Sequence, residues 1–151
     1  MHFSLVGVNH QTALIAIRER AAISAEQLYD SLSSLRSFIP HGIILSTCNR
    51  TEVYATENDS HHAEEASLNF LKAHLDIPDA DLLQYIYVYK DELAVEYLFR
   101  VACGLDSMII GEYEVLGHVG EALRVAERAK MVNLPLRHIF QSAIRTGRRV
   151  R

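Results

Sequence analysis

The stretch Ser46-Thr47-Cys48-Asn49-Arg50-Thr51-Glu52 concentrates the side chains in this sequence best suited to chemistry. Cys48 offers a thiol, and a thiolate is a competent nucleophile at neutral pH. Arg50, two residues on, carries a fixed positive charge that favours a neighbouring thiolate. Its planar fork also fits a carboxylate bidentately. Thr47, Asn49 and Thr51 add hydroxyl and amide groups for hydrogen bonding. The pattern is that of a nucleophile beside a carboxylate clamp. Taken alone, the same residues also suit an inert thiol and a surface Arg50–Glu52 pair.

The neighbouring sequence says how such a group would be held. Ile43-Ile44-Leu45 leads in and Val53-Tyr54-Ala55 leads out, so Cys48 lies in a turn between two short antiparallel strands. Phe3 to Val8 alternates as a first strand and Asn9 to Thr12 breaks it, with a short helix expected over Ala13 to Arg20. Ser24 with Gln27 three residues later forms a capping box, and Leu28, Leu32, Leu35 and Ile39 follow at helical spacing. A helix over Ser60 to Leu75, a loop at Pro78 to Asp81 and a strand over Tyr85 to Tyr89 complete the order β-α-β-β-α-β. That order predicts an α+β, ferredoxin-like fold for residues 1–90, an antiparallel sheet with helices on one face. From Asp91, a candidate cap, residues 91–151 read as an all-helical extension, interrupted at Gly104 to Ser107 and at Leu134-Pro135.

Composition bounds the function classes. Hydrophobic residues make up 49% and charged residues 23% of 151, and the net charge is -4, which implies no global attraction to nucleic acid or anionic membrane. Two cysteines, Cys48 and Cys103, do not make a disulfide framework, and a reducing, cytoplasmic setting is expected. Cys103, among Val101, Ala102 and Leu105, reads as a packing residue. No signal-peptide pattern opens the sequence and no apolar run is long enough to span a membrane. The eight histidines form no metal-ligand ladder, so no metal is expected. The glycines around Gly104, Gly111, Gly117 and Gly120 do not have dinucleotide-loop spacing. Tyr85, Tyr87 and Tyr89 are read as sheet packing and not as a base-stacking platform.

Several blocks together resemble the N-terminal, catalytic and substrate-binding part of glutamyl-tRNA reductase. They are Gly7-Val8-Asn9-His10-Gln11-Thr12-Ala13, Arg18-Glu19-Arg20, Leu45 to Tyr54, and Leu98-Phe99-Arg100-Val101-Ala102 running through Gly104-Leu105-Asp106-Ser107-Met108 to Gly111-Glu112. The resemblance implies reduction of the glutamyl group of glutamyl-tRNA to glutamate-1-semialdehyde, with NADPH, in tetrapyrrole biosynthesis. It makes Cys48 the nucleophile that holds glutamate as a thioester, and Arg50 the group that holds the substrate's side-chain carboxylate. It adds Thr47, Asn49, Ser107, Glu112, Tyr113, Glu114 and His118 to the substrate pocket.

The resemblance further implies that NADPH binds to a part of the enzyme outside these residues, that a homodimer forms there, and that glutamate-1-semialdehyde aminomutase is a downstream partner. Four positions depart from the family pattern: Leu14 for a proline, Tyr97 for a histidine, and Glu114 and His118 for two glutamines. A phenol cannot serve as a neutral-pH base as imidazole does, but it can orient by hydrogen bonding, so Tyr97 is an auxiliary candidate. A non-catalytic module of the same shape, binding tRNA or an amino acid, is the alternative. A redox-responsive thiol is a third reading, for which the sequence offers no resolving partner.

Overall fold

The computed structural model describes residues 1–58, 60–109 and 114–150. Four strands, β1 (His2–Asn9), β2 (Gly42–Ser46), β3 (Arg50–Glu57) and β4 (Tyr87–Lys90), form one antiparallel sheet in the order β2-β3-β1-β4. This is the expected ferredoxin-like arrangement. Helices α1 (Ile15–Ala21) and α2 (Ala25–Leu35) link β1 to β2, and α3 (Ser60–Leu75) and α4 (Asp79–Tyr85) link β3 to β4. Helices α5 (Asp91–Ala102), α6 (Glu114–Arg128) and α7 (Leu134–Arg149) complete the chain.

The residues that begin each element explain most of it. Ser24 caps α2 through the reciprocal box with Gln27. Asn133 caps α7 through the Leu136 amide, with Pro135 in the first turn. Three local expectations are corrected. The fourth strand starts at Tyr87 and not at Tyr85, which forms the last residue of α4. Pro78 to Asp81 does not form a loop but opens α4, because proline tolerates a helix start and Asp79 and Asp81 favour its first turn. Asp91 does not cap α5. It adopts a positive φ of 50°, and its carboxylate accepts from the Phe3 amide, tying α5 to β1.

Every residue of β1 from Phe3 to Asn9 and of β3 from Arg50 to Thr56 is buried, so both faces of the central sheet are covered. Helices α2 and α3 pack on one face. On the other, Tyr54 of β3 meets Phe140 of α7 edge-on with ring centroids 5.2 Å apart, and Tyr97 of α5 stacks on Tyr89 of β4 at 4.9 Å. Helix α6 lies beside the edge strand β2, and the Gly42 amide donates to the Met131 carbonyl in the loop after it. One continuous apolar core runs from Leu28, Leu32 and Leu71 through the sheet to Leu98, Val119 and Phe140.

Candidate active site

The β2–β3 connection is a two-residue hairpin loop: the Thr47 amide donates to the Arg50 carbonyl at 2.8 Å, leaving Cys48 and Asn49 at its tip. The Asn49 amide donates to Thr47 Oγ1 at 3.1 Å, and Ser46 Oγ bonds Thr51 Oγ1 at 2.9 Å, so the turn is braced from both sides. Cys48 is exposed. Its carbonyl lies 3.4 Å from Nη1 of Arg18 on α1.

Arg50 starts β3, and strand alternation puts Arg50, Glu52 and Tyr54 on the face covered by α5 and α7. Arg50 is only 2% exposed. Nη1 donates to Glu52 Oε2 and to the Tyr97 hydroxyl, each at 3.1 Å, and Nη2 donates to the Asp106 carbonyl at 2.5 Å and to Asp106 Oδ2 at 3.2 Å. The pairing with Glu52 therefore exists, but in the interior and not at the surface. Burial works against the charge, yet the Glu52 carboxylate and then the Tyr97, Tyr87 and Tyr54 phenols hold the Arg50 pKa above its ordinary value.

Glu52 is the hub of this cluster. It accepts from Arg50, from the Tyr54 hydroxyl at 2.7 Å and from the Tyr87 hydroxyl of β4. The sheet register makes the last contact possible, because Glu52, Gly7 and Tyr87 lie in one row and glycine leaves the middle of the row open. A Cβ at Gly7 would sit 2.7 Å from Glu52 Cγ. Tyr97 closes the network on the α5 side: it accepts from Asn9 Nδ2 at 2.8 Å and donates to Asp106 Oδ2 at 2.7 Å. Burial first, and the Glu52 charge second, raise its pKa above that of a free phenol, so it stays protonated at neutral pH. His10, at the turn after β1, has its pKa lowered by burial and then by the Arg50 and Arg18 charges.

A narrow cleft brings together Thr47, Cys48, Asn49, Arg50, Ser107, Glu114 and His118. These come from the hairpin, the segment after α5, and the first turns of α6. Glu112 and Tyr113 lie outside the described residues. Tyr97 lies behind Arg50 and lines a second cavity of about 260 Å³ with Asn9, Tyr87 and Asp106. Glu52, Asp106, Asn9, Tyr87 and Arg18 are the cluster members that sequence reasoning did not select. Strand alternation from Arg50 would have given Glu52; for Asp106, whose partners are distant in sequence, there was no local signal. Cys103 is the half-buried residue that follows the last turn of α5. Among the described residues no group of His, Cys, Asp and Glu could hold a metal ion.

A family model described as the N-terminal domain of glutamyl-tRNA(Glu) reductase matches residues 6–151. The chain belongs to this family. It is 38% identical over 151 residues to glutamyl-tRNA reductase of Roseiflexus castenholzii, covering 100% of this chain and 36% of that protein. It is 43% identical over 153 residues to the same-named protein of Carboxydothermus hydrogenoformans, covering 100% of this chain and 34% of that one. The chain thus spans about a third of the length of the curated relatives it matches. Among solved structures, glutamyl-tRNA reductase from Methanopyrus kandleri superposes with a TM-score of 0.76 at 33% identity, over 98% of this chain and 34% of that one. As a glutamyl-tRNA reductase N-terminal domain, the chain carries its hairpin cysteine and buried arginine on a fold shared with that structure.

Proposed function

We propose that this chain is the acyl-transfer domain of a glutamyl-tRNA reductase. The Cys48 thiolate attacks the ester carbonyl of glutamyl-tRNA, the bond to the tRNA hydroxyl breaks, and glutamate remains on sulfur as a thioester. The observation that carries this reading is the exposed Cys48 thiol at the hairpin tip, bordering a polar cleft formed with Asn49, Ser107, Glu114 and His118.

Arg50 selects the substrate by exchange. Its fork is occupied by Glu52 and Asp106, so an incoming group must displace the Asp106 carboxylate from Nη2. The side-chain carboxylate of glutamate competes on equal electrostatic terms, whereas the neutral amide of glutamine does not. Tyr97 is a positioning residue here, holding Asp106 and Arg50 by hydrogen bonds.

Reduction of the thioester to glutamate-1-semialdehyde, for tetrapyrrole synthesis, requires hydride from NADPH. In this reading the cofactor is held by another part of the enzyme: among the described residues the sheet is antiparallel, without the parallel βαβ unit and Gly-rich first turn that commonly receive a dinucleotide. No step of this chain is therefore routed through it. A homodimer and a glutamate-1-semialdehyde aminomutase partner belong to the whole enzyme in this reading. A cytoplasmic location fits the pair of free thiols, and no helix among the described residues is long and apolar enough to cross a membrane.

The test is mass spectrometry of the chain after incubation with glutamyl-tRNA and no NADPH. A glutamyl adduct on Cys48, sensitive to hydroxylamine and absent in Cys48→Ser, is expected. Discharge of tRNA at the same rate in Cys48→Ser removes the nucleophile assignment. A second reading, a non-catalytic module that binds tRNA or an amino acid, is favoured by one observation, the saturation of Arg50 by its own carboxylates. It predicts binding of charged tRNA with no discharge.

A further inference from the structure

Cys48 borders two clefts. Beside the narrow polar one runs a wider cleft of about 430 Å³ between α2 and α6, within the ~300–1,000 Å³ range of small-molecule sites. Thr47, Cys48 and His118 are common to both. Its lining is apolar at Ile23, Leu28, Ile44 and Ala122, and Gln27 and Glu121 are among its polar groups. Gln27 uses its side-chain oxygen in the capping box, and its amide NH2 makes no hydrogen bond within the described residues.

Acyl transfer to a thiol has a fixed geometry. The carbonyl carbon sits over sulfur, the acyl chain leaves it on one side, and the ester oxygen with its alcohol leaves on the other. A nucleophile at the junction of two clefts therefore assigns one to each half of the ester. The narrow cleft has the hydrogen-bonding groups for glutamate. We infer that the α2–α6 cleft is the subsite for the leaving alcohol, the 3′-terminal adenosine that carries the glutamyl group in charged tRNA. This rests on the acyl-transfer reading above. As sulfur bonds to the carbonyl carbon, the carbon–oxygen bond to the ribose breaks, and the thiol proton ends on the released ribose hydroxyl.

Two features suit the cleft to a nucleoside. Its walls are fixed: Arg36 at the end of α2 donates to the Ala129 carbonyl just past α6, and Arg128 of α6 lies 5.7 Å over the Tyr29 ring of α2. Glu121, the acidic group on the wall, is paired with Arg124 at 2.5 Å and so repels an entering phosphodiester less than a bare carboxylate. The apolar floor accepts a purine face, and the Gln27 amide can donate to a ring nitrogen.

The test compares two esters of glutamate on the same chain, the 2′(3′)-adenosine ester and the α-methyl ester, by the rate at which each acylates Cys48. The adenosine ester is expected to have the higher second-order rate constant for acylation, by roughly 30-fold, since binding of the non-reacting part is used at the reacting centre. Ala25→Trp fills the cleft from the exposed start of α2 and is expected to bring that ratio close to one, with Gln27→Ala as a milder variant should the first not fold. Free adenosine should also shift the backbone amides of Ala22, Ala25 and Ala122 in a heteronuclear titration. Equal rates for the two esters with Cys48 acylated, or adenosine shifts confined to another surface, overturn the subsite. Acylation by neither ester removes the acyl-transfer reading instead, and the adenosine titration then decides the cleft by itself.

Discussion

Arg50 and Glu52 are the residues on which the site's interior depends. Both are essentially sealed from water, at 2% and 0% exposure, and each satisfies the other's charge. Breaking such a pair by removing one charge strands its partner, at a cost of about 3–5 kcal/mol. Glu52→Gln keeps the volume but leaves the guanidinium short of a carboxylate. It is expected to lower unfolding free energy by roughly 3 kcal/mol in a urea titration, far more than the same change at exposed Glu26. Cys48→Ser, by contrast, sits on an exposed tip and should leave the urea midpoint where it was while abolishing the adduct. Half of this cluster was legible in the sequence. Cys48 and Arg50 belong to one local motif, and Glu52 follows from strand alternation. Asp106 and Tyr97 were not legible as Arg50's partners, because hydrogen bonds between residues 47 and 56 positions apart in sequence depend on how α5 lies over the sheet.

At the scale of elements, the sheet's central row imposes the tightest constraint. Gly7 faces the Glu52 side chain, with the Thr51 carbonyl 2.8 Å from where a Cβ would be. Backbone cannot retreat as a flexible side chain can, so Gly7→Ala is expected to destabilise by about 1–3 kcal/mol in thermal or urea unfolding. It should also release the Tyr87 hydroxyl from Glu52, a change visible in tyrosine ring resonances. The capping box of α2 and the strand periods were readable in advance because they are local. Helix α4 was misread as a loop because Pro78-Asp79-Ala80-Asp81 has turn composition, while the same residues also make a good helix start. Burial of Leu82 in the smaller core with Val8 and Leu75 decides between the two.

For the molecule as a whole, the continuous core and the shared polar cluster tie the sheet to α5, α6 and α7. One cooperative unfolding transition is expected, with near- and far-ultraviolet dichroism changing together. The phenols give it a pH signature. Tyr54, Tyr87 and Tyr97 are all raised above the ordinary value of about 10, by burial first and by the Glu52 charge next. A group whose folded pKa is raised contributes its full stability below the unfolded value and loses it as pH climbs towards the folded one. The urea midpoint should therefore fall above pH 10, and phenolate absorbance of these residues should appear only with unfolding. Phenolate absorbance appearing while the fold persists would remove this linkage. The sequence pointed to a helical extension after residue 90, but not to where it would lie. Its amphipathic period says that one face is buried and is silent about which surface buries it.

The row that joins Glu52, Gly7 and Tyr87 also settles an ambiguity that oil-and-water patterning leaves open. Sliding β3 along β1 by two residues keeps every side chain on its own side of the sheet, so hydrophobic burial alone barely penalises the shift. Such a slide would bring Glu52 opposite Leu5 or Asn9 instead of the gap at Gly7. The carboxylate would lose its cavity, and the guanidinium and phenols gathered around it would lose their common acceptor. The buried acid acts as a key that turns in one alignment, and the hairpin that carries Cys48 is indexed by it.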